Sequence, residues 1–308
     1  MRDAFARALH KASQKDDRIF FIVADISPAA SLDGFRRDFP TRVVDVGVSE
    51  QAMIGMAAGL AMRGYRPFTY TIANFTIYRP FEQVRVDLCY QNLPVVLVGV
   101  GGGMSYSALG GTHHTVEDLA VMSALPNMHV LVPCDPQEVE EAVLACGHLP
   151  GPVYLRLGKA GEPVLASPSA EPFRLGKLRL LKKGVRRAII GVGPILELGL
   201  EAARRHEEAG GEPVAVYSAH TFKPFDVEGL REVLKNFQQI ITLEEHGPFG
   251  GLAERVLAEA GRAQARCRVD PFCLQDQFIH AYGTQGDLRE SHGITVEALT
   301  RRLQEKSS

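Results

Sequence analysis

A chain of 308 residues, 45% hydrophobic and 23% charged, is long enough for two domains that each bury a core; its 30 Gly and 18 Pro exclude neither folding nor order. Lys+Arg 34 against Asp+Glu 36 leaves a net charge of −2, which gives no field to attract nucleic acid or an anionic membrane. The five cysteines (Cys89, Cys134, Cys146, Cys267, Cys273) contain no C-x-x-C pair, so neither a disulfide framework nor a zinc site has support. A reducing, cytoplasmic location is expected.

From the N-terminus, MRDAFARALHKASQ mixes charged and apolar residues at helical spacing and lacks the central apolar block of a secretory signal. Short β-branched runs then recur at residues 19–26, 43–48, 67–72, 95–100, 129–132 and 153–157. Helical periodicity fills most of the gaps, at 49–62, 78–91 and 136–146, which is the pattern of βαβ units around a parallel sheet. In the first of these helices Ser49 is expected to be the N-cap and Gly64 marks the end. Between Gly158 and Phe173 the period lapses into GKAGEPVLASPSAEPF, which suits an interdomain crossing. A smaller α/β unit follows, with strands at 187–192, 214–218 and 239–244 and helices from Pro194 to about Ala209, at 227–236 and at 252–260. The expected fold class is therefore α/β in two domains, 1–165 and 166–308, each a mostly parallel sheet flanked by helices. No internal repeat is evident, and the longest apolar stretch, 94–104, is too short and too glycine-rich to span a membrane.

Three clusters can carry chemistry. DVGVSEQAMIGMAAGLAMRG places Glu50 after a strand in the first turn of a helix, the end of a parallel sheet where ligands bind, although a first-turn acid also complements the helix dipole. IANFTIYRPFEQVR gathers Phe75, Tyr78 and Phe81 in a chain without Trp, either as a stacking surface for a planar ring or as core. GVGGGMSYSALGGTHHTVED ends a glycine-rich loop in His113 and His114, which suits anion or substrate binding; it lacks the order of a dinucleotide fingerprint.

Together VGVSEQAMIGMAAGLAMRGYRPF, NFTIYRPFEQVR and GGTHHTVEDLAVMSALPNMHVLVPCDPQE resemble the pyrimidine-binding domain of thiamine-diphosphate enzymes of the transketolase group. SAHTFKPFDVEGL and IITLEEHGPFGGLAE resemble that group's C-terminal domain. The resemblance covers most of the chain and implies that the glutamate matching Glu50 hydrogen-bonds the pyrimidine ring of the cofactor. Proton exchange there makes a carbon nucleophile that attacks a substrate carbonyl, and the protein supplies orientation and proton management. By the same mapping Phe75 and Tyr78 line the pyrimidine pocket and Asp25 lies beside the cofactor at a subunit junction. His113 faces the substrate and handles its oxygen-bound protons. Arg2 and Lys159 fall at positions that hold a sugar phosphate, the Lys acting as a point charge where the family has Arg.

Three positions depart from the family pattern: Gly101 replaces a substrate-contacting histidine, Leu109 an aspartate that reads a sugar hydroxyl, and Ala29 a serine near the phosphate. The family's G-D-G motif, which with a downstream Asn holds the diphosphate and a divalent metal, does not occur in the sequence. The resemblance thus implies a split enzyme: a β-type subunit, no metal ligand of its own, and a separate α-type chain holding Mg2+ or Ca2+, assembled as α2β2. The expected reaction is ketol transfer between sugars or sugar phosphates. A 2-oxoacid dehydrogenase β subunit, a 1-deoxyxylulose-5-phosphate-synthase-like carboligase, or a non-catalytic scaffold of the same fold are the alternatives left open.

Overall fold

The β-branched runs become strands in a computed structural model, which describes residues 1–26, 32–167 and 170–305. The first half contributes β1 (Ile19–Val23), β2 (Val43–Asp45), β3 (Arg66–Ile72), β4 (Val96–Val100), β5 (His129–Leu131) and β6 (Val153–Leu157). The second contributes β7 (Arg179–Lys182), β8 (Arg187–Gly191), β9 (Val214–Ser218), β10 (Thr221–Lys223), β11 (Gln239–Leu243) and β12 (Arg268–Phe272). One sheet runs β10-β5-β6-β4-β3-β1-β2 and the other β12-β11-β8-β9-β7. Every pairing is parallel except β10 with β5 and β7 with β9. Both sheets are therefore of the expected mostly parallel, helix-flanked kind.

Parallel strands buried on both faces read as continuous apolar runs, and β4 (VLVGV) and β6 (VYLRL) are buried along their whole length. On one face of the first sheet Phe5 and Leu9 of the Arg2–Ser13 helix and Val139 of the Pro136–Cys146 helix pack on Phe21, Phe68 and Val98. On the other, Met53, Ile54 and Leu88 join a cluster that continues without a break into Phe222, Leu230 and Val256 of the second half. The halves share that core as well as a sheet, because β10 crosses from the second half to pair with β5.

Three strands go beyond those expected from the sequence, for a physical reason. β7 and β12 are sheet edges, and β12 contains Pro271, whose missing N–H is tolerated only where no neighbour needs it. β10 is three residues long. Two terminal helices, Gln285–Ser291 and Val296–Gln304, are likewise additions to the expected elements. The segment expected as one helix over 78–91 is instead Ala73–Ile77, a short turn at Phe81–Gln83 and a π-helical stretch Val84–Tyr90. Pro80 has no N–H to continue the first helix, so the chain restarts after it.

The seam between the halves contains an acid-sensitive group. His220, 1% exposed, stacks on Phe173 with ring centroids 4.2 Å apart, and burial, aided by the Arg179 charge, depresses its pKa to about 3. A histidine whose folded pKa lies below its unfolded value of about 6.5 binds fewer protons folded than unfolded, so stability is full above pH 6.5 and falls as pH drops toward 3. The expected slope from this group is about 1.4 kcal/mol per pH unit within that window. Urea titrations at pH 7 and pH 5 check it: His220→Gln should flatten the difference, and an unchanged slope would remove His220 as its source.

Candidate functional site

In a parallel sheet the loops after the carboxyl ends of the strands lie along one edge, which is where ligands bind. Asp25 follows β1, Glu50 follows β2, Phe75 and Tyr78 follow β3, the 101–113 loop follows β4 and Lys159 follows β6. Residues spread over more than a hundred positions are thereby brought to one edge.

Glu50 opens the Glu50–Met62 helix. Ser49 is the N-cap residue, as expected, with φ −145 and ψ 65, but it makes no side-chain cap bond. The turn is held from below instead: the Asp45 carboxylate accepts from Gly47 N at 2.9 Å and from Asp25 N at 3.2 Å, tying the ends of β1 and β2 together. β2 is an edge strand and only partly buried.

The Glu50 carboxylate is 5% exposed, and its Oε1 accepts from Arg79 Nη1 at 2.7 Å. The same guanidinium lies on the face of Phe75, 3.8 Å from the ring centroid. Phe75 meets His113 edge-on at 5.2 Å, and His113 meets Tyr106 at 6.2 Å. Thr112 Oγ1 is 2.9 Å from His113 Nδ1. Burial and then the Arg79 charge lower the His113 pKa, so the imidazole is neutral near pH 7 and able both to accept and to donate a proton. Lys159 Nζ stands 5.0 Å from the Tyr106 ring centroid, and Arg2 carries a buried Nε with no hydrogen-bond partner among the described residues.

Of the residues singled out from the sequence, Glu50, Phe75, His113 and Lys159 thus fall on one line of contacts, with Arg2 close enough for its charge to act on Tyr106. Tyr78 faces another way: its hydroxyl donates to Glu117 Oε2 at 2.8 Å, and it lines a cavity of about 340 Å³ with His114, Asn74 and Phe278. Burial, reinforced by the Asp118 and Glu117 charges, keeps that phenol protonated. Asp25 is exposed at the end of β1 with a positive φ of 44°, and its backbone bond to Asp45 ties it to the turn below Glu50 rather than to this line. Leu109 is half exposed in a 3-10 turn. Ala29 lies outside the described residues.

The family model of the transketolase pyrimidine binding domain matches residues 1–161, and that of the transketolase C-terminal domain matches residues 176–299. The chain belongs to the transketolase family. It is 31% identical to a subunit of the apulose-4-phosphate transketolase of Phocaeicola vulgatus, over 97% of this chain and 95% of that one. It is 34% identical to the 6-deoxy-6-sulfo-D-fructose transketolase subunit SqwH of Clostridium sp. (strain MSTE9), over 99% and 94%. Among solved structures it superposes on a split-gene transketolase, described as an inactive beta4 tetramer, with TM-score 0.88 and 33% identity over 98% and 96% of the two chains.

Transketolases use thiamine diphosphate, and the Glu50 carboxylate beside the Phe75 ring suits the planar end of such a group. The Arg79 guanidinium is itself flat and nitrogen-bearing; it rests on Phe75 and donates to a buried carboxylate, so this transketolase-family site offers a stacking face and an acceptor in the right relation for a heterocycle. Among the described residues no group of three or more His, Cys, Asp or Glu is placed to hold a metal ion. Among the described residues, too, no helix is long and apolar enough to cross a membrane.

Two site residues lie outside those singled out from the sequence. Arg79 stands within YRPFEQVR, where a cation beside aromatics is a visible signal for a carboxylate partner. Tyr106 stands within the glycine-rich loop, but its packing on Gly101 depends on the loop's path and leaves no trace in spacing.

Proposed function

We propose that this chain is the β-type subunit of a split transketolase that transfers a two-carbon ketol unit between sugars or sugar phosphates. The observation that carries the reading is the buried Glu50 carboxylate within reach of a flat group stacked on Phe75. Thiamine diphosphate supplies the carbon nucleophile in this chemistry. Glu50 holds and exchanges a proton at the ring nitrogen, Phe75 gives the ring a stacking face, and Arg79 moves off Phe75 to admit it. Tyr78 and Asp25 complete the cofactor pocket once a second chain closes the edge of the sheet.

His113, neutral and beside Phe75, moves protons on the substrate's oxygens. Arg2 and Lys159 bind the anionic end of the sugar. Both named relatives act on sugars whose names include a phosphate or a sulfo group, which agrees with a cationic end to the site. A separate α-type chain binds the diphosphate and Mg2+ or Ca2+, with α2β2 as the assembly and the cytoplasm as the location. Within this chain the pyrimidine-binding unit takes residues 1–165 and the C-terminal unit 166–308.

Co-expression with a diphosphate-domain chain tests the reading. The pair is expected to transfer ketol units from a ketose phosphate in the presence of thiamine diphosphate and Mg2+, and to be inert with pyruvate as donor. Turnover of pyruvate in place of the ketose would move the assignment to a 2-oxoacid dehydrogenase or a deoxyxylulose-phosphate-synthase-like carboligase.

A further inference from the structure

The contacts leading away from Glu50 put Tyr106 beside two groups with different tasks, the His113 imidazole at 6.2 Å and the Lys159 ammonium at 5.0 Å from its ring centroid. Its ring is fixed by the backbone beneath it. Gly101 adopts φ +78, and a Cβ there would lie 2.1 Å from Tyr106 Cε2, so the ring fills the volume that any side chain at 101 would need. Tyr106 and Gly101 are a matched pair: with a side chain at 101 the ring could not lie where it does.

The hydroxyl of Tyr106 has a different status from those of other tyrosines nearby. Tyr78 donates to Glu117 and Tyr154 donates to Asp118, each at 2.8 Å. Tyr106 is 8% exposed, yet no described residue hydrogen-bonds its hydroxyl. The hydroxyl is not among the buried unpartnered atoms, so it is open to solvent at the site, and a phenol can both donate and accept. Arg2, whose charge acts on Tyr106, also has its buried Nε unpartnered among the described residues. An open phenol and a buried, unpartnered guanidinium nitrogen along one stretch of the site can both bond a ligand's hydroxyls.

We propose that Tyr106 determines which sugar this enzyme accepts: a sugar with its carbonyl at His113 and its anionic end at Arg2 and Lys159 must pass over Tyr106, whose hydroxyl pairs with a hydroxyl on the sugar's middle carbons. The inference rests on the ketol-transfer reading and names the residue in that site that chooses the acceptor. Selectivity follows because a site built to hydrogen-bond a hydroxyl rejects the analogue that lacks it, while a ring alone does not tell them apart.

The experiment uses the chain paired with its diphosphate-domain partner, loaded with thiamine diphosphate and Mg2+. Binding of ribose 5-phosphate and of its 2-deoxy and 3-deoxy analogues is measured by calorimetry without a ketose donor, and kcat/KM is measured with one. The wild-type pair should bind at least one deoxy analogue roughly 3- to 10-fold more weakly than the parent sugar, the effect of one neutral hydrogen bond. Tyr106→Phe, which keeps the ring over Gly101, should weaken the parent by that factor and leave that analogue unchanged, so that the discrimination disappears. Lys159→Ala should weaken parent and analogues alike. An unchanged discrimination ratio in Tyr106→Phe, or a wild-type pair that binds parent and both analogues equally, would overturn the proposal. Binding with the expected ratios but no ketol transfer would instead sink the reaction assignment, because the calorimetry does not depend on turnover.

Discussion

Glu50→Gln in the assembled enzyme is expected to lower thiamine-dependent ketol transfer by roughly 10²- to 10⁴-fold, the range for losing a positioned acid–base group. The amide is nearly the same shape as the carboxyl and its oxygen can still accept from Arg79, so orientation persists while proton exchange is lost. Stability should hardly change. Arg79 is 45% exposed, so water solvates it when its partner becomes neutral, and the Gln oxygen still accepts from it. Steady-state kinetics alongside urea titration separate the two effects. A Gln variant with turnover within a few-fold of wild type would show that Glu50 merely complements its helix, the alternative its first-turn position allows.

The legibility of this site in the sequence follows the reach of the interactions involved. Strands such as β6, set by a run of five buried residues, can be read because periodicity is local. The placing of Glu50, Phe75 and His113 on one edge can be read as well, because a parallel sheet puts every strand-to-helix loop on the same side. What cannot be read depends on groups far apart in the chain. Arg79 is 29 positions from the carboxylate it pairs with, and β10 is identified by its pairing with β5 some ninety residues earlier. Tyr78 is a long-range case of the same kind: its hydroxyl bonds Glu117, 39 positions away, and its ring lines the neighbouring cavity, neither of which its place in the motif reveals.

The largest expected loss of stability lies behind the substrate loop, at Asp118. Its side chain is fully buried, and its Oδ2 accepts from Arg156 Nε at 2.6 Å and from the Tyr154 hydroxyl at 2.8 Å. Arg156, 3% exposed, also donates through Nη2 to Thr115 O and to Glu245 O, each at 3.1 Å, so one guanidinium joins the loop carrying His113 to the second half of the chain. Removing one member of a buried ion pair leaves the other charge uncompensated and costs about 3–5 kcal/mol, whereas replacing both with apolar groups of similar volume is far less costly. Asp118→Ala should therefore lower the stability measured by urea titration by that amount at constant m-value, while Tyr154→Phe, which removes one donor to the carboxylate, should cost about 1.5–3 kcal/mol. The double replacement Asp118→Leu with Arg156→Met should recover much of the loss in stability. It should not restore the affinity for the sugar, because the bonds to Thr115 and Glu245 that brace the loop under Tyr106 and His113 are gone. If the double variant is no more stable than Asp118→Ala alone, the cost resides in packing at 118 and not in a stranded charge at 156.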